Sequence, residues 1–239
     1  MIHAHAAVEK NTNTVMDGKL NQYIDHTVLK PTTLLSDVVR VCNEAKEYKF
    51  AAVCVPPLFV KKATEFLKDS GVKVSTVTGF PFGYSAIEAK VAEIILAIID
   101  GVDELDVVVN ISAIKNNDWN FIGNEINTLM PIIKNKNKVI KVIIESGILT
   151  DDEIIKCCDI YGMAGVDFVK TSTGYAEKGA SVHAVKLIRA HLSDHVQIKA
   201  SGGIKSFSFA KDLIDAGATR IGSSAGVQLM QESLANFIN

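Results

Sequence analysis

A chain of 239 residues with 48% hydrophobic and 22% charged residues has room for a sizeable apolar core and the composition of a globular protein. A formal net charge of −2 leaves no basic excess of the kind that nucleic acid demands. Apolar runs such as 94–99 and 142–144 are far too short to cross a bilayer.

Residues 1–19 are polar and lack the apolar stretch of a signal peptide, so they read as an N-terminal extension to a domain over 20–239. His3 and His5 stand as an H-x-H pair there, better explained by a solvated leader than by a metal site. A weak first strand at 23–28 carries Asp25 and Thr27. Stronger strands follow at 51–55, which contains Cys54, and at 74–78, which ends on Thr78. An amphipathic stretch at 88–99 precedes a strand at 104–109 that holds Asp106. The strand at 139–145 carries Lys141 and Glu145, and helix 151–161 comes next. Strand 167–171 presents Lys170 near its end and is followed by helix 181–192. Lys199 and Ser201 lie in strand 197–201, and Ser223 and Ser224 close strand 220–223 after helix 206–216. The four cysteines, Cys42, Cys54, Cys157 and Cys158, have no C-x-x-C spacing and read as reduced thiols of a cytoplasmic protein.

Short Val- and Ile-rich strands alternating with amphipathic helices predict a parallel sheet covered by helices. Gly71, Gly101, Gly165 and Gly217 each precede a strand, as helix C-caps would, at spacings near multiples of 30 residues. Eight such units in one domain predict a (β/α)8 TIM barrel. An open doubly wound sheet is the alternative, but no G-x-G-x-x-G follows the first strand.

In such a barrel the active site lies at the C-terminal ends of the strands. Asp106 and Lys170 both fall five residues after the glycine of their unit, on strands of the same parity. That places them in one interior layer, with Lys199 on the neighbouring strand within reach of Lys170. Lys141 and Glu145 are candidates either for a support pair or for a direct role. A free lysine has a pKa of about 10.4, so roughly one in 2,500 is neutral at pH 7. Only the neutral amine attacks a carbonyl, and burial or a neighbouring cation enriches it. Two lysines beside an acid therefore suit Schiff-base chemistry, with the carboxylate handling protons and no metal required. The residues alone do not separate Lys170 from Lys199 or Lys141 as the nucleophile. The SGGI segment at 201–204 and the GSSAG segment at 222–226 follow strands 7 and 8, where barrels often hold phosphate. Gly202, Gly203, Ser223 and Ser224 are the candidate donors, joined by Gly174.

Several ordered motifs make the resemblance to a known family specific: IDHTVLKP (24–31), AAVCVPP (51–57), TVTGFPFG (76–83), DELDVVVN (103–110), KVIIESGIL (141–149), FVKTSTGY (168–175), IKASGGI (198–204) and RIGSSAG (220–226). From about residue 20 to its end the chain resembles the 2-deoxyribose-5-phosphate aldolases. The resemblance implies reversible, cofactor-free cleavage of 2-deoxy-D-ribose 5-phosphate to D-glyceraldehyde 3-phosphate and acetaldehyde. It implies Lys170 as the Schiff-base lysine, Lys199 as the group perturbing its pKa, and Asp106 in proton relay. Asp25, Thr27, Thr171 and Gly174 match substrate-binding positions, and Gly202, Gly203, Ser223 and Ser224 match phosphate-binding ones. It further implies a cytoplasmic enzyme, a possible homodimer, whose partners are a sugar phosphate and aldehydes, with neither nucleic acid nor membrane. Tyr175 departs from the pattern, since some members carry a lysine there; Lys178 or backbone amides are the candidate substitutes. Two rival readings are an isomerase or synthase on the same phosphate-binding barrel, and a silent barrel that senses a sugar phosphate.

Overall fold

The computed structural model describes residues 19–238, so the His3–His5 pair and nearly all of the 1–19 extension lie outside the described residues. Eight parallel strands close on themselves in sequence order, β1 pairing with both β2 and β8. They are β1 Ile24–Thr27, β2 Ala52–Val55, β3 Lys73–Thr78, β4 Glu104–Val108, β5 Val139–Ile143, β6 Phe168–Lys170, β7 Gln197–Ser201 and β8 Arg220–Ser223. The helices between and after them are α1 Leu35–Tyr48, α2 Val60–Phe66, α3 Ile87–Ile99, α4 Ile111–Lys115, α5 Trp119–Lys134, α6 Asp151–Ala164, α7 Val182–His191, α8 Phe207–Asp215 and α9 Gly226–Ile238. The TIM-barrel expectation is met, and the open-sheet alternative is excluded by the β1–β8 pairing.

Strand side chains alternate between two environments. Val53, Val55, Leu105, Val107, Ile140, Val142, Val169, Ile198 and Ile221 join the helix residues Val41, Ile94, Ile126, Leu129, Ile154, Ile188 and Leu213 in one apolar cluster. This shell between barrel and helices is the main hydrophobic core. The other parity points into the barrel and is largely polar. The registers Asp106↔Lys141 and Lys170↔Lys199 put those four side chains on the same, inner face.

Helix ends set where each strand begins. Gly165 closes α6 in the left-handed region at φ 70°, and Gly101 and Gly217 turn the chain at φ 95° and 117° before β4 and β8. Counting five residues from each reaches Asp106, Lys170 and Gly222, all facing inward. The Gly71 unit breaks this rule. Its fifth residue, Thr76, pairs with the outward Leu105, and Ser75 takes the inner position instead.

The strand expected over 139–145 stops at Ile143. Glu145 adopts φ 56° and starts a short helical turn at Ser146–Ile148, and its carboxylate bonds to Thr173 rather than to Lys141. The proposed Lys141–Glu145 pair is therefore absent, because the left-handed turn breaks the period of two. Another buried pair was not foreseen. Lys90 of α3 is fully buried; its Nζ donates to the Val108 carbonyl at 2.7 Å and to Glu125 Oε1 of α5 at 2.6 Å. Glu125 Oε2 accepts from the Asn110 N–H at 3.3 Å, and Glu93 accepts from the Gly79 N–H at 2.7 Å. Helices α3 and α5 thus hold the C-terminal ends of β3 and β4.

Candidate active site

Three lysines converge on one carboxylate. Asp106 Oδ2 accepts from Lys170 Nζ and from Lys199 Nζ, each at 2.7 Å, and Oδ1 accepts from Lys141 Nζ at 2.9 Å and from the Ser75 hydroxyl at 3.1 Å. Beneath them, Lys199 pairs with Asp25 at 2.5 Å and Lys141 with Glu104 at 2.5 Å. Arg220 closes the cluster, donating to Asp25 Oδ1 at 2.6 Å and reaching Glu104 at 3.3 Å. Among the described residues this interior network comprises three carboxylates, Asp25, Glu104 and Asp106, and four cationic side chains, Lys141, Lys170, Lys199 and Arg220. Removing the charge of one lysine brings it to balance.

Which lysine is drawn toward its neutral form follows from what surrounds each. Burial pushes Lys170 below the ordinary lysine value; Asp106 opposes the shift, and the Lys199 charge adds to it. Burial acts on Lys199 as well, but Asp106 and Asp25 outweigh it and raise the pKa. Lys141 is raised too, with Asp106, Glu104 and Asp25 overcoming its burial. Asp106 itself is held well below the usual carboxylate range, since its three lysines overcome the burial that would raise it. Burial, more than the second cation, is thus the larger cause of the Lys170 shift, a change of emphasis from the sequence expectation.

A cavity of about 630 Å³ opens above this cluster at the C-terminal ends of the strands. Lys170 lines it, at 3% exposure, whereas Lys199 and Lys141 are fully enclosed and do not. Thr27, Gly174, Gly202, Gly203, Ser223 and Ser224 also line it, as expected. Gly202 and Gly203 have φ of 92° and 78°, a region where side chains are strained. Two expected substrate contacts fall elsewhere. Asp25 is buried beneath Lys199, and Thr171 is buried with its hydroxyl donating to the Ser201 carbonyl at 3.2 Å and accepting from the Ser201 N–H at 3.0 Å. Neither side chain lines the cavity.

The phosphate candidates divide by side chain. The Ser223 hydroxyl donates to the Ile204 carbonyl at 2.7 Å and accepts from the Ala225 N–H at 3.0 Å, so it shapes the turn, while Ser224 is exposed to the cavity. Lys30, Arg40 and Lys205 also line the cavity, and sequence reasoning passed over them because each stands alone in its loop. Lys178 is not in the lining; its carbonyl packs against Gly147, where a Cβ would come within 2.2 Å. Gly222, within the RIGSSAG motif, leaves room for its neighbours: a side chain there would meet Lys199 Cε at 3.0 Å and Ser201 Cβ at 2.9 Å. Cys54 is fully buried, and burial, reinforced by Asp106, pushes its thiol up, so it has the character of a packed thiol rather than a nucleophile. No cluster of three or more metal-ligating side chains occurs among the described residues.

A closed barrel whose cavity floor is a buried lysine on an aspartate suits the lysine-dependent chemistry of a class I aldolase. Residues 19–232 match the DeoC/LacD family aldolases, and the chain belongs to that family. It is 48% identical over 210 residues to the deoxyribose-phosphate aldolase of Caldanaerobacter subterraneus subsp. tengcongensis, covering 87% of this chain and 91% of that one. The enzyme of the same name from Lactococcus lactis subsp. lactis is 48% identical over 218 residues, covering 91% and 98%. A solved tetrameric deoxyribose phosphate aldolase from Aeropyrum pernix superposes with a TM-score of 0.84 at 31% identity, covering 91% and 92%.

Proposed function

We propose that this chain is a class I deoxyribose-phosphate aldolase acting through a Schiff base on Lys170. One observation carries the assignment of the nucleophile: of the three lysines on Asp106, only Lys170 faces the cavity, and only Lys170 has its pKa lowered. Its neutral Nζ attacks the C1 carbonyl of open-chain 2-deoxy-D-ribose 5-phosphate. The carbinolamine loses water to give a protonated imine. Loss of the C3 hydroxyl proton then breaks the C2–C3 bond, releasing D-glyceraldehyde 3-phosphate while the bonding electrons pass to the iminium as an enamine. Protonation at C2 and hydrolysis return acetaldehyde and the free amine. Asp106, kept ionised by its lysines, accepts and returns protons through water rather than acting as a strong base. Lys199 holds Asp106 and adds positive potential at Lys170. The backbone of Gly202, Gly203 and Gly174 with Ser224 receives the phosphate at the far side of the cavity.

A sugar-phosphate sensor, or an isomerase on the same barrel, has no use for an amine held toward its neutral form. Trapping discriminates these readings. Acetaldehyde plus borohydride is expected to add a two-carbon ethyl group at Lys170, read by peptide mass. An unlabelled Lys170, under conditions that label a known Schiff-base aldolase, removes the proposal.

The same reading places the enzyme in the cytoplasm as a homodimer. No helix among the described residues is long and apolar enough to cross a membrane, and all four cysteines are free and buried. Activity recovered mainly outside the cytoplasmic fraction contradicts the location. An apolar outer face on α3, where Leu96 and Ile99 are 62% and 73% exposed, suits a second copy of the chain.

A further inference from the structure

One run of hydrogen bonds at the mouth of the barrel lies outside the cluster of lysines on Asp106. It starts at Glu145, which is 2% exposed and has a left-handed backbone. Both carboxylate oxygens accept from the Thr173 N–H at 3.2 Å, and Oε2 also accepts a short bond from the Thr173 hydroxyl. Thr173 Oγ1 in turn accepts from the Tyr175 N–H at 3.0 Å. The Tyr175 hydroxyl then donates to the Leu29 carbonyl, in the β1–α1 loop, at 2.8 Å. Its ring meets Phe80, in the β3–α3 loop, edge to face at 5.4 Å between centroids. Three loops from different sides of the mouth are tied together through Tyr175.

Gly174 lies inside this run, between its two side-chain anchors, with φ 88°. It lines the cavity, and its Cβ position would stand 3.8 Å from Gly202 Cα. A glycine is the residue with the most backbone freedom, so its N–H has a fixed direction only if its neighbours are held. The loop's return leg is fixed as well: the Ala180 N–H donates to the Gly202 carbonyl at 3.1 Å. Tyr175 supplies no positive charge to an anion, and its hydroxyl is already committed to Leu29. What this loop can offer a phosphate is oriented backbone.

We propose that Glu145, Thr173 and Tyr175 form a strap that holds Gly174 in register with Gly202 and Gly203, making Tyr175 a positioning residue that sets the preference for phosphorylated over unphosphorylated sugars. The proposal rests on the phosphate assignment given above. The tether's two ends are Glu145 and Leu29.

Thr173→Val removes the hydroxyl that links Glu145 to Tyr175 with little change of shape, and Tyr175→Phe removes the link to Leu29 while keeping the ring on Phe80. For both variants kcat and KM are measured with 2-deoxyribose 5-phosphate and with 2-deoxyribose, together with inhibition by inorganic phosphate. The expected result is a rise of about three- to tenfold in KM for the phosphorylated sugar, the size of one net hydrogen bond, with a matching rise in the phosphate inhibition constant. Values of kcat for that sugar, and kcat/KM for 2-deoxyribose, stay within about twofold. Equal losses on both sugars, or no change on either, overturn the strap. Ser224→Asp tests the underlying assignment by placing a negative charge on an exposed cavity residue. If it leaves KM and phosphate inhibition unchanged, the phosphate reading itself fails and the strap falls with it. If it weakens both while the strap variants do not, the strap alone is overturned.

Discussion

Lys199 donates to the same carboxylate oxygen as Lys170, which makes it a competitor for Asp106 as well as a neighbouring charge. Lys199→Leu removes the competitor and the repulsion together, and both changes raise the pKa of Lys170. Asp25 keeps Arg220 at 2.6 Å, so the protein should still fold. The expected outcome is a loss of imine formation at pH 7 of about tenfold for each unit of pKa gained, recovered in part as pH rises. Stopped-flow rates from pH 7 to 10 check this, and a loss independent of pH sinks the pKa role. At this scale the sequence was informative but incomplete. Asp106 and Lys170 were legible because a fixed offset from a glycine sets both depth and facing. The choice among three lysines was not, because it depends on which one reaches the cavity and how many carboxylates surround each. The partner of Glu145 was not legible, because a single left-handed residue ends the strand's alternation and nothing local marks it.

Helices α3 and α5 meet through Lys90 and Glu125, both nearly or fully buried. Burial draws both groups toward their neutral forms, lowering Lys90 and raising Glu125, while their mutual attraction opposes this. Removing one partner leaves a charge in an apolar shell, at a cost of about 3–5 kcal/mol. For a domain of this size, Lys90→Met should then lower Tm by roughly 6–20 °C. The double variant Lys90→Met/Glu125→Leu should recover much of the loss, because the desolvated pair contributes little net stability. Calorimetry on the two variants decides; a single variant within about 2 °C of the parent means the pair is not a structural anchor. The helix itself was read from its apolar period, nearly to the residue. Its buried lysine was not, since a lysine in a helix ordinarily marks the solvent side, and the β4 carbonyl and the Glu125 carboxylate it reaches explain the exception.

At the scale of the whole molecule, closure of the sheet was legible because eight repeated units leave no unpaired strand in a barrel. The division of the interior was legible only in part. The alternation of strand residues placed polar groups inside, but the extent of the ion network, with Glu104 and Arg220 beneath the lysines, required strands distant in sequence to be brought together. Self-association belongs to this scale as well. Sedimentation at micromolar concentration is expected to give a species larger than 25.8 kDa, and Leu96→Glu/Ile99→Glu is expected to shift it to monomer. A parent chain that sediments as monomer removes the homodimer and leaves the active site untouched. The barrel interior has a consequence for the cycle itself. With Lys170 neutral, three acidic groups meet three basic ones in an enclosed space. An imine on that nitrogen is cationic where the amine is not, so a proton is taken up as the imine forms, given up as the neutral enamine forms, and taken up and given up once more before the amine is free. The enclosed charges must therefore accommodate a cation that comes and goes twice in each cycle, even though no free proton appears in the overall stoichiometry.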